Sequence, residues 1–377
     1  MSTTARLADD PSVVQRILDH IDNKTTDLSE TTWREPVEHY RSEPRLAAEL
    51  ALLRGCPTVF CPSAALPETG SYVARDAAGT PILAVRGADG RVRAFRNACR
   101  HRGTQLVDGA GCEKAFECRY HGWTYALDGR LRHVPHEHGF PGLDKSTRGL
   151  VPLGTTELAG VVFVTQEPPR VGLDRLPPLI GPDYRLLGPG AFDFEVPANW
   201  KILVEGFLEG YHIRSTHRDT FYPVQFDNLN VVETFGRNAR VAFPFRAINK
   251  LRAVPPAERS ADGKLTYVYH LFPNVMVATF PGRIFVVVLE PLATDRTRMV
   301  SYGLTNQPAH DAEAEAKLHR ASQFVDAGAV EDRAVACAIQ RGLASGANEF
   351  FEFGLFEGAI VHFHRTLDAL LEGAARS

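Results

Sequence analysis

No run of apolar residues in this chain approaches the roughly 18–20 residues of a membrane-spanning helix, so a helical integral membrane protein is excluded. An excess of one charge is also missing. The 42 Lys and Arg stand against 45 Asp and Glu, a formal net charge of −3, and nothing suggests a basic surface for nucleic acid. Internal repeats and low-complexity tracts are absent. The opening MSTTARLADD is acidic early and lacks the apolar stretch of a secretory signal. Cysteine is scarce: Cys56, Cys61, Cys99, Cys112, Cys118 and Cys337 are the whole complement. Without a secretory signal they read as thiols or metal ligands rather than a disulfide framework, which predicts a reducing, cytoplasmic location.

What is present divides into three textures. Residues 1–50 are charged, with helices expected over 11–22 and 43–53, and are expected to pack on the third zone. Residues 51–165 are rich in Gly and turn signals with short apolar runs (Pro81–Val85, Val92–Phe95, Gly160–Val164), which predicts a small antiparallel β domain. The Pro- and Gly-rich stretch Glu167–Pro189 reads as a connection. Residues 166–377 form the third domain. It opens on a strand (Phe192–Val196) and a helix carrying WKILVEGFLEGYH. Six β-like runs follow, at Val231–Phe235, Val241–Phe245, Leu265–Phe272, Val275–Phe280, Arg283–Leu289 and Met299–Leu304. A long helix then carries apolar positions through Val325, Val330, Val335 and Ile339. Strands in series followed by a helix predict an α+β fold, with an antiparallel sheet gripping a long C-terminal helix. The space between sheet and helix is a usual place for a small-molecule site. Phe243, Phe245, Tyr267, Tyr269 and Phe272 either line that space or belong to the core.

Two short constellations carry chemistry. Cys99-Arg100-His101 is followed sixteen residues later by Cys118-Arg119-Tyr120-His121. Two such loops can close on one metal centre. A [2Fe–2S] cluster of the Rieske kind takes two thiolates on one iron and two imidazoles on the other. Structural zinc is the alternative for the same four residues, although finger motifs usually run Cys, Cys, His, His. The second constellation is NWKILVEGFLEGYHIRSTH, in which His212 and His217 lie five apart. A continuous helix would set them at different angles, so a helix loosened over Ile213–Thr216 is expected. Two His and one carboxylate on one face of an iron leave positions open for O2 and substrate.

CRHRG followed by CRYHGW, with the flanking VRAFRNACRHRG and YALDGRL, resembles the Rieske signature of ring-hydroxylating oxygenase α subunits. The segment with His212 and His217 resembles the mononuclear-iron motif of the same family. The resemblance runs from about residue 45 to 365. It implies a Rieske domain and a helix-grip catalytic domain. Cys99, His101, Cys118 and His121 would hold the [2Fe–2S] cluster. His212, His217 and an Asp on the long helix would hold Fe(II). VEDRAVACAIQRGL matches that helix region and places the third ligand at Asp332, with Glu331 as the neighbouring candidate. An acid three residues before the first iron histidine is implied to carry electrons from the cluster of an adjacent protomer; Glu209 stands there, and Glu205 is the second candidate. Glu rather than Asp at this position resembles members that act on quaternary ammonium compounds. A reductase or ferredoxin passing electrons from NAD(P)H, O2, a small aromatic or quaternary-amine substrate, and a ring of protomers such as a homotrimer complete the implied system. Thr104 and Arg119 stand where respiratory Rieske proteins place a disulfide. Trp123 stands where they place a hydroxyl donor, which predicts few hydrogen bonds to the sulfurs and a low potential. His133, His136, His138, His362 and His364 are read as structural. The rival reading is an electron carrier whose second domain only binds a ligand.

Overall fold

The computed structural model describes residues 7–188, 190–307 and 312–375, without the side chains of 312–324 and 374–375. It forms two compact units: Leu50–Leu173 with Pro178–Gly190, and Met1–Glu49 with Asp174–Pro177 and Ala191–Ser377. Much of the stretch expected as a connection therefore belongs to the first unit. Its backbone is hydrogen-bonded there: the Gln166 and Glu167 N–H groups donate to the Arg54 carbonyl at 3.0 and 3.1 Å, and the Ile180 N–H donates to Ala159 at 3.2 Å.

The first unit is β throughout its core. Strands β1 (Thr58–Pro62), β2 (Ser71–Ala77), β3 (Thr80–Arg86), β4 (Val92–Arg96), β5 (Gly109–Cys112), β9 (Pro152–Leu158) and β10 (Val161–Thr165) form one sheet in the order β1-β10-β9-β4-β3-β2-β5. A second, small sheet holds β6 (Phe116–Glu117), β7 (Thr124–Tyr125) and β8 (Leu131–His133). Phe95, Leu106, Phe116, Trp123, Tyr125 and Leu131 pack in one buried cluster with Cys99 and Cys118. This core holds the two Cys–His loops.

The second unit is the predicted sheet and helices. Its main sheet holds β11 (Phe192–Val196), β12 (Val231–Phe235), β13 (Asn238–Pro244), β14 (Leu265–Leu271), β15 (Val275–Phe280), β16 (Arg283–Ala293) and β17 (Arg296–Thr305), paired antiparallel in the order β11-β17-β16-β15-β14-β13-β12. Alternation gives the sheet two faces. On the outer face Arg240 lies over Tyr267, whose hydroxyl donates to Asp10 at 3.0 Å. Asp10 begins helix α1 (Asp10–Asn23), which buries Val13, Val14, Ile17 and Leu18. Tyr267 and the neighbouring Tyr269 thus anchor the N-terminal helix and do not line an internal space. On the inner face are Phe243, Val268, His270 and Met276, where Phe363 of the C-terminal helix stands against His270.

Further helices are α2 (Glu43–Gly55), α3 (Trp200–Phe207), the short α4 (Ile213–Thr216), α5 (Ala312–Leu343) and α6 (Gly358–Ala375). Among the described side chains of α5 the buried positions are Gly328, Ala336 and Leu343, whereas Val330, Val335 and Ile339 are exposed. Val330, Val335 and Ile339 therefore do not mark its packed face; Gly328, Ala336 and Leu343, eight and seven residues apart, do.

Charges pinned beneath α3 fix its position. Lys201 Nζ donates to both oxygens of Glu49 at 2.8 and 2.9 Å, and Trp200 Nε1 donates to Glu49 at 2.9 Å, all buried. Glu205 Oε1 accepts from the Tyr40 hydroxyl at 2.6 Å and from His364 Nε2 at 2.9 Å. The far ring nitrogen of His364 lies 3.4 Å from Glu35. Burial opposes charge on His364, but Glu205 and Glu35 outweigh it and push the imidazole up to about 9. A histidine raised in the fold stabilises fully below its unfolded value of about 6.5 and loses that contribution as pH rises through the folded value. Denaturation midpoints are accordingly expected to fall between about pH 6.5 and 9, and His364→Gln should flatten that decline. An equal decline in the variant would remove His364 from the linkage.

Candidate functional site

The two Cys–His loops have the same backbone. In the first, the Gly103 N–H donates to the Cys99 carbonyl at 2.9 Å and the Cys99 N–H to Thr104 at 2.8 Å. In the second, Gly122 N–H donates to Cys118 at 2.8 Å and Cys118 N–H to Trp123 at 2.8 Å. Both glycines have positive φ, 80° and 71°, a conformation that costs a residue with a Cβ. Each loop thus turns back on its own cysteine. Cys99 and Cys118 are buried, while His101 is half-buried and His121 exposed. The imidazole rings stand 4.8 Å apart, and His101 stacks on Trp123 at 4.9 Å. Burial pushes the Cys99 thiol up, more than Tyr125 lowers it, so a thiolate here calls for a cation. Two inward sulfurs and two outward imidazoles are the donor set of a [2Fe–2S] Rieske cluster, and these residues fit it.

Tyr125 corrects the expectation of few hydrogen bonds to sulfur. Its hydroxyl accepts from the Arg100 N–H at 2.8 Å and lies 3.3 Å from Cys99 Sγ, to which it can donate. The sequence signal was the Tyr two residues past Trp123, across the small sheet from Phe116. Tyr125→Phe is expected to lower the cluster potential by on the order of 50–100 mV, one hydrogen bond's worth in a one-electron couple. Redox titration followed by absorbance measures it, and an unchanged potential would show that the hydroxyl does not act on the sulfur.

The second site begins where α3 ends. The helix stops at Phe207, and the break spans Leu208–His212, earlier than the expected loosening over Ile213–Thr216. Glu209 causes the difference. Its carboxylate accepts the backbone N–H of Tyr211 and, at 3.1 Å, that of His212, capping the new turn as acids do at helix starts. The same carboxylate receives His212 Nδ1. α4 then leads into His217.

Asp332 on α5 faces both rings. Its Oδ1 lies 2.9 Å from His217 Nε2 and 3.4 Å from His212 Nε2, and ligand atoms of the three residues all lie within 4.8 Å of one another. Glu331 is on the other side of His217: its Oε2 receives Nδ1 at 2.7 Å and the Thr220 hydroxyl at 2.6 Å. The two adjacent acids therefore occupy different positions, one against both Nε2 atoms and one behind a single ring. Gly328 lets α5 approach, because a Cβ there would overlap the Phe221 ring, which itself packs 4.6 Å from His217. Burial disfavours charge on His212, yet Asp332 and Glu209 push it up to about 10, and the histidines hold Asp332 below the usual carboxylate range. The three groups together favour a positive charge among them. Two imidazoles and one carboxylate are the donor set for ferrous iron with open positions, so the residues fit that ion. A polar cavity of about 870 Å³ reaches His212 and is lined also by Tyr211, Arg214, Arg218, Tyr222 and Asp227. Glu205 belongs to the buried Tyr40–His364 network instead. Sequence reasoning did not single out Tyr125, Thr220 or Phe221.

Residues 184–373 match the family described as ring hydroxylating alpha subunit (catalytic domain), and residues 56–147 match the Rieske [2Fe-2S] domain. The chain is 27% identical over 333 residues to the carnitine monooxygenase oxygenase subunit of Escherichia coli K12, covering 81% of this chain and 84% of that one. Among solved structures, a quaternary ammonium Rieske monooxygenase in complex with L-carnitine superposes with a TM-score of 0.75 at 22% identity, over 91% of this chain and 96% of that chain. Naphthalene 1,2-dioxygenase from Rhodococcus sp. superposes with a TM-score of 0.71 at 19% identity, over 96% and 98%. These two likenesses speak for the fold.

Proposed function

This chain belongs to the ring-hydroxylating α-subunit family of Rieske oxygenases, and on that footing we propose that it oxidises a small quaternary amine. It is an oxygenase with a [2Fe–2S] cluster and a mononuclear iron, fed from NAD(P)H through a separate reductase. When bound, the cluster would supply single electrons and the iron would supply open positions for O2 and substrate.

The residues have the following roles in this proposal. Cys99 and Cys118 hold one iron of the cluster and His101 and His121 the other. His212, His217 and Asp332 hold the mononuclear ion. Glu209 and Glu331 each accept a hydrogen bond from the Nδ1–H of one histidine, which fixes the tautomer and presents Nε2 to the ion. Glu209 also carries the electron from the cluster of a neighbouring protomer in a homotrimer. Support for a protein contact at that edge comes from exposed Tyr211 and Val330, which flank His212 and Asp332. Six cysteines without a disulfide, two of them the cluster ligands, support a reducing, cytoplasmic compartment, and no described helix is long and apolar enough to cross a membrane.

The observation that carries the amine reading is the similarity over four-fifths of the chain to a carnitine monooxygenase subunit. Glu at 209 agrees with it. Oxygen uptake with a reductase and NADH tests it against L-carnitine, glycine betaine, choline and a set of aromatic acids. Coupled uptake with a quaternary amine is expected; turnover of the aromatic acids alone would overturn the reading. Glu209→Gln should keep both metals and lose at least roughly 10–100-fold in reductase-driven turnover. Full activity would remove Glu209 from the electron path.

A further inference from the structure

Arg16, Arg34, Arg237, Arg240, Arg252 and Arg298, all in the unit that holds His212, each form an ion pair with a carboxylate. Arg214 and Arg218 do not: among the described residues neither has a carboxylate or carbonyl partner. They stand two and six residues after His212, around the short α4, and both line the cavity that reaches that histidine. Arg214 is placed by an aromatic neighbour. Its guanidinium carbon lies 5.9 Å from the centre of the Tyr222 ring, and the Tyr222 N–H donates to the His217 carbonyl at 3.0 Å. A guanidinium over a ring keeps its in-plane N–H groups free to donate.

Acceptors lie on a different segment of the lining. Asp227 and Asn228, just before β12, border the same cavity. Asp227 also has no ion pair among the described residues, and Asn228 Oδ1 is buried without a hydrogen-bond partner. The Asn228 N–H donates to the Gly210 carbonyl at 3.1 Å, which ties this segment to a residue two positions before His212. Water solvates exposed charges of either sign, so what these residues add is a field across the cavity: positive along the α4 segment, negative along 227–228. Such a field attracts a zwitterion and orients it.

We infer that Arg214 and Arg218 form a carboxylate subsite of this cavity, while Asp227 and Asn228 Oδ1 receive the quaternary ammonium of the same molecule beside His212. The inference rests on the amine reading and narrows it to betaines, amines that carry a carboxylate; choline, which has none, is then a poor ligand. Guanidinium N–H groups suit a carboxylate in charge and in shape. A quaternary ammonium has no N–H to donate and is stabilised by negative oxygens placed around it.

Calorimetry on the holoprotein, comparing γ-butyrobetaine with its methyl ester, tests the subsite. The ester keeps the ammonium and loses the negative charge. The unaltered protein should bind the acid roughly ten- to hundredfold more tightly than the ester, and added salt should narrow that gap. Arg214→Gln and Arg218→Gln should each weaken the acid and leave the ester unchanged, and the double variant should bind the two alike. Asp227→Asn should weaken both. All three side chains are exposed, so Tm and metal content should not change. Equal affinity of the unaltered protein for acid and ester, or arginine variants that weaken both alike or neither, would overturn the subsite and leave the amine reading standing. Arginine variants that bind the acid normally but lose reductase-driven turnover would also overturn it and assign the two residues to an acidic partner protein. Failure of the unaltered protein to bind either compound would overturn the amine reading and the subsite with it.

Discussion

Replacing Asp332 by alanine is expected to empty the mononuclear site, abolish turnover and leave the Rieske absorbance intact. Asp332 Oδ1 is the one oxygen that faces both Nε2 atoms, at 2.9 and 3.4 Å. Without it the ion would meet two neutral imidazoles and no compensating charge, too weak a set for ferrous iron. The helix survives, since alanine is the best helix former and adds no bulk between Gly328 and Ala336 on the same face. Glu331→Ala provides the contrast. Glu331 touches His217 only at Nδ1, so its loss should loosen iron by roughly 10–100-fold and not eliminate it. Iron per chain by mass spectrometry distinguishes the two acids. Iron retained in Asp332→Ala and lost in Glu331→Ala would exchange their roles.

His101→Ala is expected to abolish the cluster's visible absorbance while mononuclear iron stays bound. His101 is one of two imidazoles that the paired loops present outward, and its ring is fixed by stacking on Trp123. Removing it leaves one iron of the cluster with a single protein ligand, and buried Cys99 and Cys118 cannot replace a nitrogen donor on that side. His101 lies in the unit formed by Leu50–Leu173 with Pro178–Gly190, while His212, His217 and Asp332 lie in the other. The loss should therefore be confined to the cluster. An unchanged spectrum would contradict the cluster assignment, and simultaneous loss of mononuclear iron would contradict the independence of the units.

The parts of this molecule that were legible in its sequence are those written locally. The Cys–His spacings set two loops of one backbone form, and strands such as Val231–Phe235 and Val275–Phe280 fall where their apolar runs stand. Contacts distant in sequence were not legible. Asp332 and Glu331 are neighbours in the chain, and only the approach of α5 over Phe221, permitted by Gly328, decides which faces the histidines. The helix break moved to Leu208–His212 because Glu209 holds the backbone N–H groups of Tyr211 and His212, whereas the sequence pointed only to its place in the electron path. Tyr125 carried no signal of its own in the sequence; the fold brings its hydroxyl to Cys99. Val330, Val335 and Ile339 read as a helix's apolar side, yet they are exposed, and among its described side chains α5 buries Gly328, Ala336 and Leu343.

Iron and acid-labile sulfide per chain, measured together with an EPR spectrum of the dithionite-reduced protein, test the two-centre assignment most directly. About three iron and two sulfide with a Rieske-type signal are expected. One zinc and no sulfide would contradict it.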